Sequence, residues 1–139
     1  MTTTGTEFMV GGDFLGWDIF TNYTDWAQDK VFHVGDKLVF SYIISFHNVF
    51  TVNGSEFDNC TVPPINEALT SGYDIVTLTS PGPKWYICGV DDHCSLFNQK
   101  LAINVEKKLG KSSSHGTSAF MSGYLALVSM VVALAIVLV

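Results

Sequence analysis

The chain lacks the features that mark several large protein classes. It carries 13 Asp and Glu against 7 Lys and Arg, for a net charge of -6. No basic run interleaves with aromatics, which excludes a nucleic-acid surface. Nothing recurs at a fixed period, so solenoids and propellers are excluded. Helical periodicity is thin, confined to Asn66–Thr70 after Pro63-Pro64 and to Thr24–Gln28. No convincing nucleophile and base pair is present, because the Ser-rich stretch lies after Lys111 and the few His residues are otherwise explained or isolated, so no enzyme is expected. The first seven residues offer neither a basic start nor an apolar core, so no signal peptide is visible. After Lys111 there is no Asp, Glu, Lys or Arg at all.

That last absence divides the chain. At 139 residues one domain is expected, and it spans 1–106. Phe, Tyr, Trp, Val and Thr are plentiful there, and they suit a pleated, half-buried surface. Short runs alternate with period two between Gly, Pro, Asn and Asp, the pattern of an antiparallel sandwich or barrel. Five are named: Leu38, Phe40 and Tyr42; Val49 to Val52; Ile75, Val76 and Leu78; Trp85 to Cys88; and Leu101, Ile103 and Val105. The fold class is all-β, with one or two short helices. Trp17, Trp26 and Phe40 read as core, His33 as an exposed histidine on a strand, and His115 as a linker residue without a role.

Residues 107–123 form a Ser-rich linker and 124–139 an apolar tail, in which Leu125 to Val139 has Ser129 as its one polar residue. Small residues at Ser112, Ser113 and Ser114, a polar spacer and the terminal apolar stretch fit the rule for a glycolipid (GPI) anchor. A retained membrane span is the alternative. Sequons at Asn22, Asn53 and Asn59 agree with a secretory route, on which a leader absent from this chain is expected. The expectation is a monomeric membrane-attached glycoprotein on the extracellular face of the plasma membrane.

Cys60, Cys88 and Cys94 make an odd count. Outside the cell thiols usually pair, so one is left over, and a metal is the usual occupant of a spare thiolate. His93 follows Cys88 across the polar loop Gly89–Asp92. His47 would complete the two-His, one-Cys set that holds copper in electron-transfer proteins. Two alternatives stay open on spacing alone. One is a Cys88–Cys94 bridge with Cys60 free; the other is zinc, with Asp91 or Asp92 completing the set.

Longer motifs are more specific. Val10-Gly-Gly12, Gly16-Trp17, Trp26-Ala27, Phe32 to Tyr42, His47-Asn-Val49, Ser71-Gly72, Tyr86-Ile-Cys-Gly89, Asp92-His-Cys94 and Gln99-Lys-Leu101 resemble the phytocyanins, the plant blue-copper family, over about Phe8 to Val105. The resemblance implies a cupredoxin-like Greek-key β-sandwich, one type 1 copper and a Cys60–Cys94 disulfide. It implies His47, Cys88 and His93 as ligands, with Gln99 as a weak axial ligand in the manner of stellacyanins. The interval from His93 to Gln99 is one residue longer than the family pattern, and Asn98 occupies the usual register. Gln99 is favoured because the strand from Lys100 must keep its inward face, with a bulge to absorb the extra residue. The implied activity is one-electron transport with an unidentified donor and acceptor. Copper storage, and a surface interaction module like the early nodulin-like relatives, are the competing functions. Retention of all three ligands argues against the latter.

Overall fold

The computed structural model describes residues 5–108. The linker beyond Lys108, the candidate anchor serines and the apolar tail lie outside them. Among the described residues no helix is long and apolar enough to cross a membrane.

Among the described residues seven strands form two sheets. Strands β1 (Glu7–Met9), β3 (Lys37–Ser41) and β5 (Tyr73–Thr77) make the first, in the order β1-β3-β5. Strands β2 (Phe32–His33), β4 (Phe50–Val52), β6 (Gly82–Ile87) and β7 (Lys100–Glu106) make the second, in the order β2-β7-β6-β4. The sheets are mixed, not antiparallel throughout as the alternation suggested: β1 pairs with β3, and β2 with β7, in parallel. Alternation reports which face is buried and carries no information on strand direction, and a parallel pair only needs a crossover of a dozen or more residues.

The five expected runs all fall on or beside strands, with Val49 just before a strand and Tyr42, Leu78 and Cys88 just beyond strand ends. In β7, Leu101, Ile103 and Val105 are buried while Ala102, Asn104 and Glu106 are exposed. Opposite it, Tyr86 pairs with Leu101 and faces the same core. Between the sheets Trp17 packs at a tilt against Tyr23 at 4.7 Å and meets Phe40 edge-on at 5.0 Å. Trp17 and Phe40 are buried, and Trp26 packs against the edge of the same core beside Phe32 from a half-exposed position. A second, smaller cluster of Phe50, Val52, Ile87 and Cys94 lies on the other face of the β6 sheet.

Helix is more frequent than the one or two short segments expected. Helix α1 (Tyr23–Ala27) is capped by Asn22, whose side chain accepts from the Asp25 N–H. Helix α2 (Gly54–Asn59) has a reciprocal capping box between Asn53 and Glu56, a signal present in the sequence but unused there. Helix α3 (His93–Phe97) has no side-chain cap, and Ile65–Glu67 forms a single 3-10 turn. His33 is also more enclosed than expected, with a side chain 21% exposed. Parallel pairing sets it opposite Glu106, and its ring nitrogens lie 3.9 Å from the Asp36 and Glu106 carboxylates.

Candidate metal centre

The end of the sandwich beyond Ile87 gathers the chemically active side chains. Strand β6 delivers Cys88 one residue past its last ladder pair, on the inward parity of Tyr86. The Cys88 N–H donates to the Gln99 carbonyl at 3.0 Å, and the Gln99 N–H donates to the His93 carbonyl at 3.0 Å. Three of the candidate residues are therefore tied together by backbone. Gln99 shares the inward parity of Leu101, and the chain reaches it through Asn98, which ends α3 in a left-handed conformation with φ 52°. Asn tolerates that conformation better than most residues. The additional residue is thus taken up by a helical turn with a left-handed stop, not by a strand bulge, and Asn98 is left exposed.

His47 arrives from a different part of the chain. Its neighbour Asn48 is buried, and the Asn48 side-chain oxygen accepts from the Gly89 N–H at 2.7 Å. The Asn48 carbonyl accepts from the Trp17 indole N–H at 2.9 Å, and Val49 exchanges backbone bonds with Leu69. Gly89 is required for this closure, because a Cβ there would stand 2.3 Å from the Phe50 ring. Asn48 and Gly89 were visible only as parts of motifs. Nothing in their spacing indicated that they join the two ligand-bearing segments.

The resulting geometry is compact. Donor atoms of His47, Cys88 and His93 all lie within 4.8 Å of one another. Cys88 Sγ is 3.6 Å from His93 Nδ1, His47 Nδ1 is 3.0 Å from Gln99 Oε1, and the two imidazole centroids are 4.9 Å apart. Cys60 and Cys94 form a disulfide with a Cα–Cα distance of 5.8 Å, which leaves Cys88 free and buried and removes the Cys88–Cys94 alternative. The bridge pins α3, and so His93, to the end of α2.

Burial pushes the Cys88 thiol pKa up, while burial and then the neighbouring His93 push His47 down. Without a metal the cluster therefore favours a neutral thiol and a neutral His47 imidazole. A bound cation reverses the thiol's preference, since a coordinating thiol is deprotonated outright.

The donor set distinguishes copper from zinc. Gln99 is 0% exposed, and its Nε2 has no hydrogen-bond partner. Burying an amide this way costs about 1–3 kcal/mol per unsatisfied group. A cation would not satisfy that N–H donor; the amide atom open to a metal is Oε1, which faces His47 Nδ1 at 3.0 Å. Asp91 and Asp92 are exposed and stand outside the cluster, so among the described residues no carboxylate completes a zinc set. Two imidazole nitrogens, one thiolate and a weak neutral fourth donor suit one type 1 copper.

The three sequon asparagines, Asn22, Asn53 and Asn59, are exposed. The first two use their side-chain oxygens as helix caps.

The plastocyanin-like domain family matches residues 17–98. Blue copper protein 1b of Medicago truncatula is 58% identical over 100 residues, covering 72% of this chain and 61% of that protein. Stellacyanin of Toxicodendron vernicifluum is 40% identical over 99 residues, covering 68% of this chain and 92% of that protein. Among solved structures, cucumber stellacyanin with Cu2+ superposes with a TM-score of 0.67 at 33% identity, covering 76% of this chain and 99% of its own. The chain thus spans less than two thirds of the Medicago relative but nearly all of the stellacyanins. Fold, disulfide, donor cluster and these likenesses agree, and the chain belongs to the phytocyanin family of plastocyanin-like domains.

Proposed function

We propose that this protein carries single electrons through one copper ion held by His47, Cys88 and His93, with Gln99 as the weak fourth donor. The observation that carries this reading is Cys88: a free, buried thiol whose sulfur is grouped with two imidazoles while the other two cysteines pair with each other. When bound, copper supplies reversible exchange between Cu(I) and Cu(II). The chain's own contribution is restraint. Backbone bonds fix Cys88, His93 and Gln99, and the Asn48 side chain fixes the His47 segment against them, so the donors need little rearrangement between oxidation states.

Gln99 sets the balance between those states. An amide oxygen is a harder donor than a thioether, so it favours Cu(II) and lowers the reduction potential relative to a Met-ligated site.

The site of action we propose is the extracellular face of the plasma membrane, with the chain held there by a lipid anchor or an apolar tail. The Cys60–Cys94 disulfide supports an oxidising compartment, and the exposed sequons are compatible with glycosylation. Donor and acceptor would be small redox partners or proteins meeting the His47 and His93 end.

Cyclic voltammetry on the copper-loaded protein tests the function. A reversible one-electron wave is expected. An irreversible wave with copper retained would support storage and contradict electron carriage.

A further inference from the structure

We propose that the outer face of the β6–β7 sheet carries a binding cleft for a small hydroxylated aromatic acid, seated between the Phe57 and Phe97 rings with its carboxylate on Lys100. The strand parity that turns Leu101 and Ile103 inward turns Lys100 and Ala102 outward. Helix α1 and the loop before it line one part of the cleft, and Phe57 of α2 with Phe97 of α3 line another. Ala102 is too small to fill the space between them and becomes the floor of a cleft of about 710 Å³. That size lies in the range of small-molecule sites, about 300–1,000 Å³.

The lining decides the class of ligand. Phe20 is 79% exposed and Phe97 47% exposed, and together with Phe57 they present three aromatic rings to one cleft. Scattered exposed apolar residues are ordinary, but several gathered in a concavity mark a binding surface. Aromatic faces and edges favour a planar aromatic ligand.

Lys100 is the one cationic side chain on this lining. Its ammonium donates to the Phe57 carbonyl at 3.0 Å and lies 4.5 Å from the Phe57 ring centroid. An ammonium has three donors, so it retains N–H groups for an anion. Asp25 on the α1 part offers a carboxylate that accepts from a hydroxyl and repels a second anion. A ligand with one carboxylate and one O–H group satisfies both side chains. A saccharide would use the rings but would leave the ammonium without a counter-charge.

The cleft adjoins the metal centre. Phe97 meets the His93 ring edge-on with centroids 6.3 Å apart, so a ligand against Phe97 stands one ring away from a copper ligand. The binding proposal does not depend on the electron-carrier reading; only this proximity does.

The probe is 4-hydroxycinnamate, titrated calorimetrically into the copper-loaded full chain from a host without N-glycosylation, so that Asn22 at the rim carries no sugar. One saturable site with a dissociation constant of about 0.1–1 mM is expected for a ligand of this size. Lys100→Met should weaken it about tenfold or more, the worth of a hydrogen bond to a charged group. Ala102→Leu, which fills the floor and leaves Lys100 in place, should abolish it. In solution NMR the probe's resonances should broaden with the Cu(II) form and sharpen on reduction. No saturable binding, binding unchanged in both variants, or equal affinity for the uncharged 4-hydroxycinnamyl alcohol would overturn the proposal. Failure of the copper reading would look different: calorimetric binding would persist while the protein showed no thiolate-to-copper absorption.

Discussion

The metal centre is assembled from two unlike regions. Cys88, His93 and Gln99 come from one short stretch and are joined to each other by backbone hydrogen bonds. His47 comes alone from a segment more than forty residues upstream, and it is aligned by the buried Asn48 and by Trp17. The local region is held by its own chain and a disulfide, whereas the remote one is held by tertiary hydrogen bonds. Loss of tertiary contacts should therefore misplace His47 first.

Four variants break or sharpen that contrast. The largest effect is expected from the local side. Replacing both Cys60→Ser and Cys94→Ser releases a bridge between residues 34 apart, and chain entropy predicts a loss of about 4 kcal/mol. Urea denaturation measures it, and the thiolate-to-copper band of the folded fraction should persist because Cys88 is not part of the bridge. Asn48→Ala acts on the remote side. It leaves the half-buried Gly89 N–H without its acceptor, for a loss of about 1 kcal/mol. It should also weaken copper binding about 10-fold to 100-fold, as changes behind the metal ligands do. Competition with a chelator would show this, and unchanged affinity would mean that His47 is aligned without Asn48.

Smaller effects follow. The Tyr23 hydroxyl accepts from the Asp18 N–H and shares its one proton between the carbonyls of Asp18 and Gly16, and burial raises its pKa above the ordinary value of 10.0. The folded chain thus keeps a proton that the unfolded chain releases. This contribution is intact below pH about 10 and diminishes as pH rises beyond it. Tyr23→Phe should flatten that alkaline decline and cost about 1–3 kcal/mol at neutral pH. Smallest in stability is Gln99→Met, which exchanges a buried amide with one orphaned group for a thioether. It should change stability by less than about 1.5 kcal/mol. Its signature is a raised reduction potential and an altered visible spectrum; a spectrum and potential matching the parent would show that Gln99 is not a ligand.

The same contrast explains what the sequence disclosed. Alternation of Leu101, Ile103 and Val105 fixed the inward face of β7, and extending that parity by one step placed Gln99 inside and Asn98 outside. His93 was legible from its closeness to Cys88 along the chain. His47 was proposed from the ligand chemistry alone, and the longer motifs made it specific, since no spacing rule connects it to Cys88. The parallel pairings of β1 and β2 were not legible, because side-chain alternation is the same in either strand direction. Helix α3 has five residues and no side-chain cap, so neither periodicity nor a start signal marked it. Helix α2 did carry its start signal, in Asn53 and Glu56, but Asn53 was read only as a sequon. The cleft above Ala102 was beyond reach, because it depends on how α1 and α2 flank an outward-facing position.

A copper titration followed by optical absorption and EPR tests the account most directly. An intense visible thiolate-to-Cu(II) band should grow to a plateau at one copper per chain and vanish in Cys88→Ser. Full copper loading without that band, or peptide mapping that finds Cys88 in a disulfide, would contradict it.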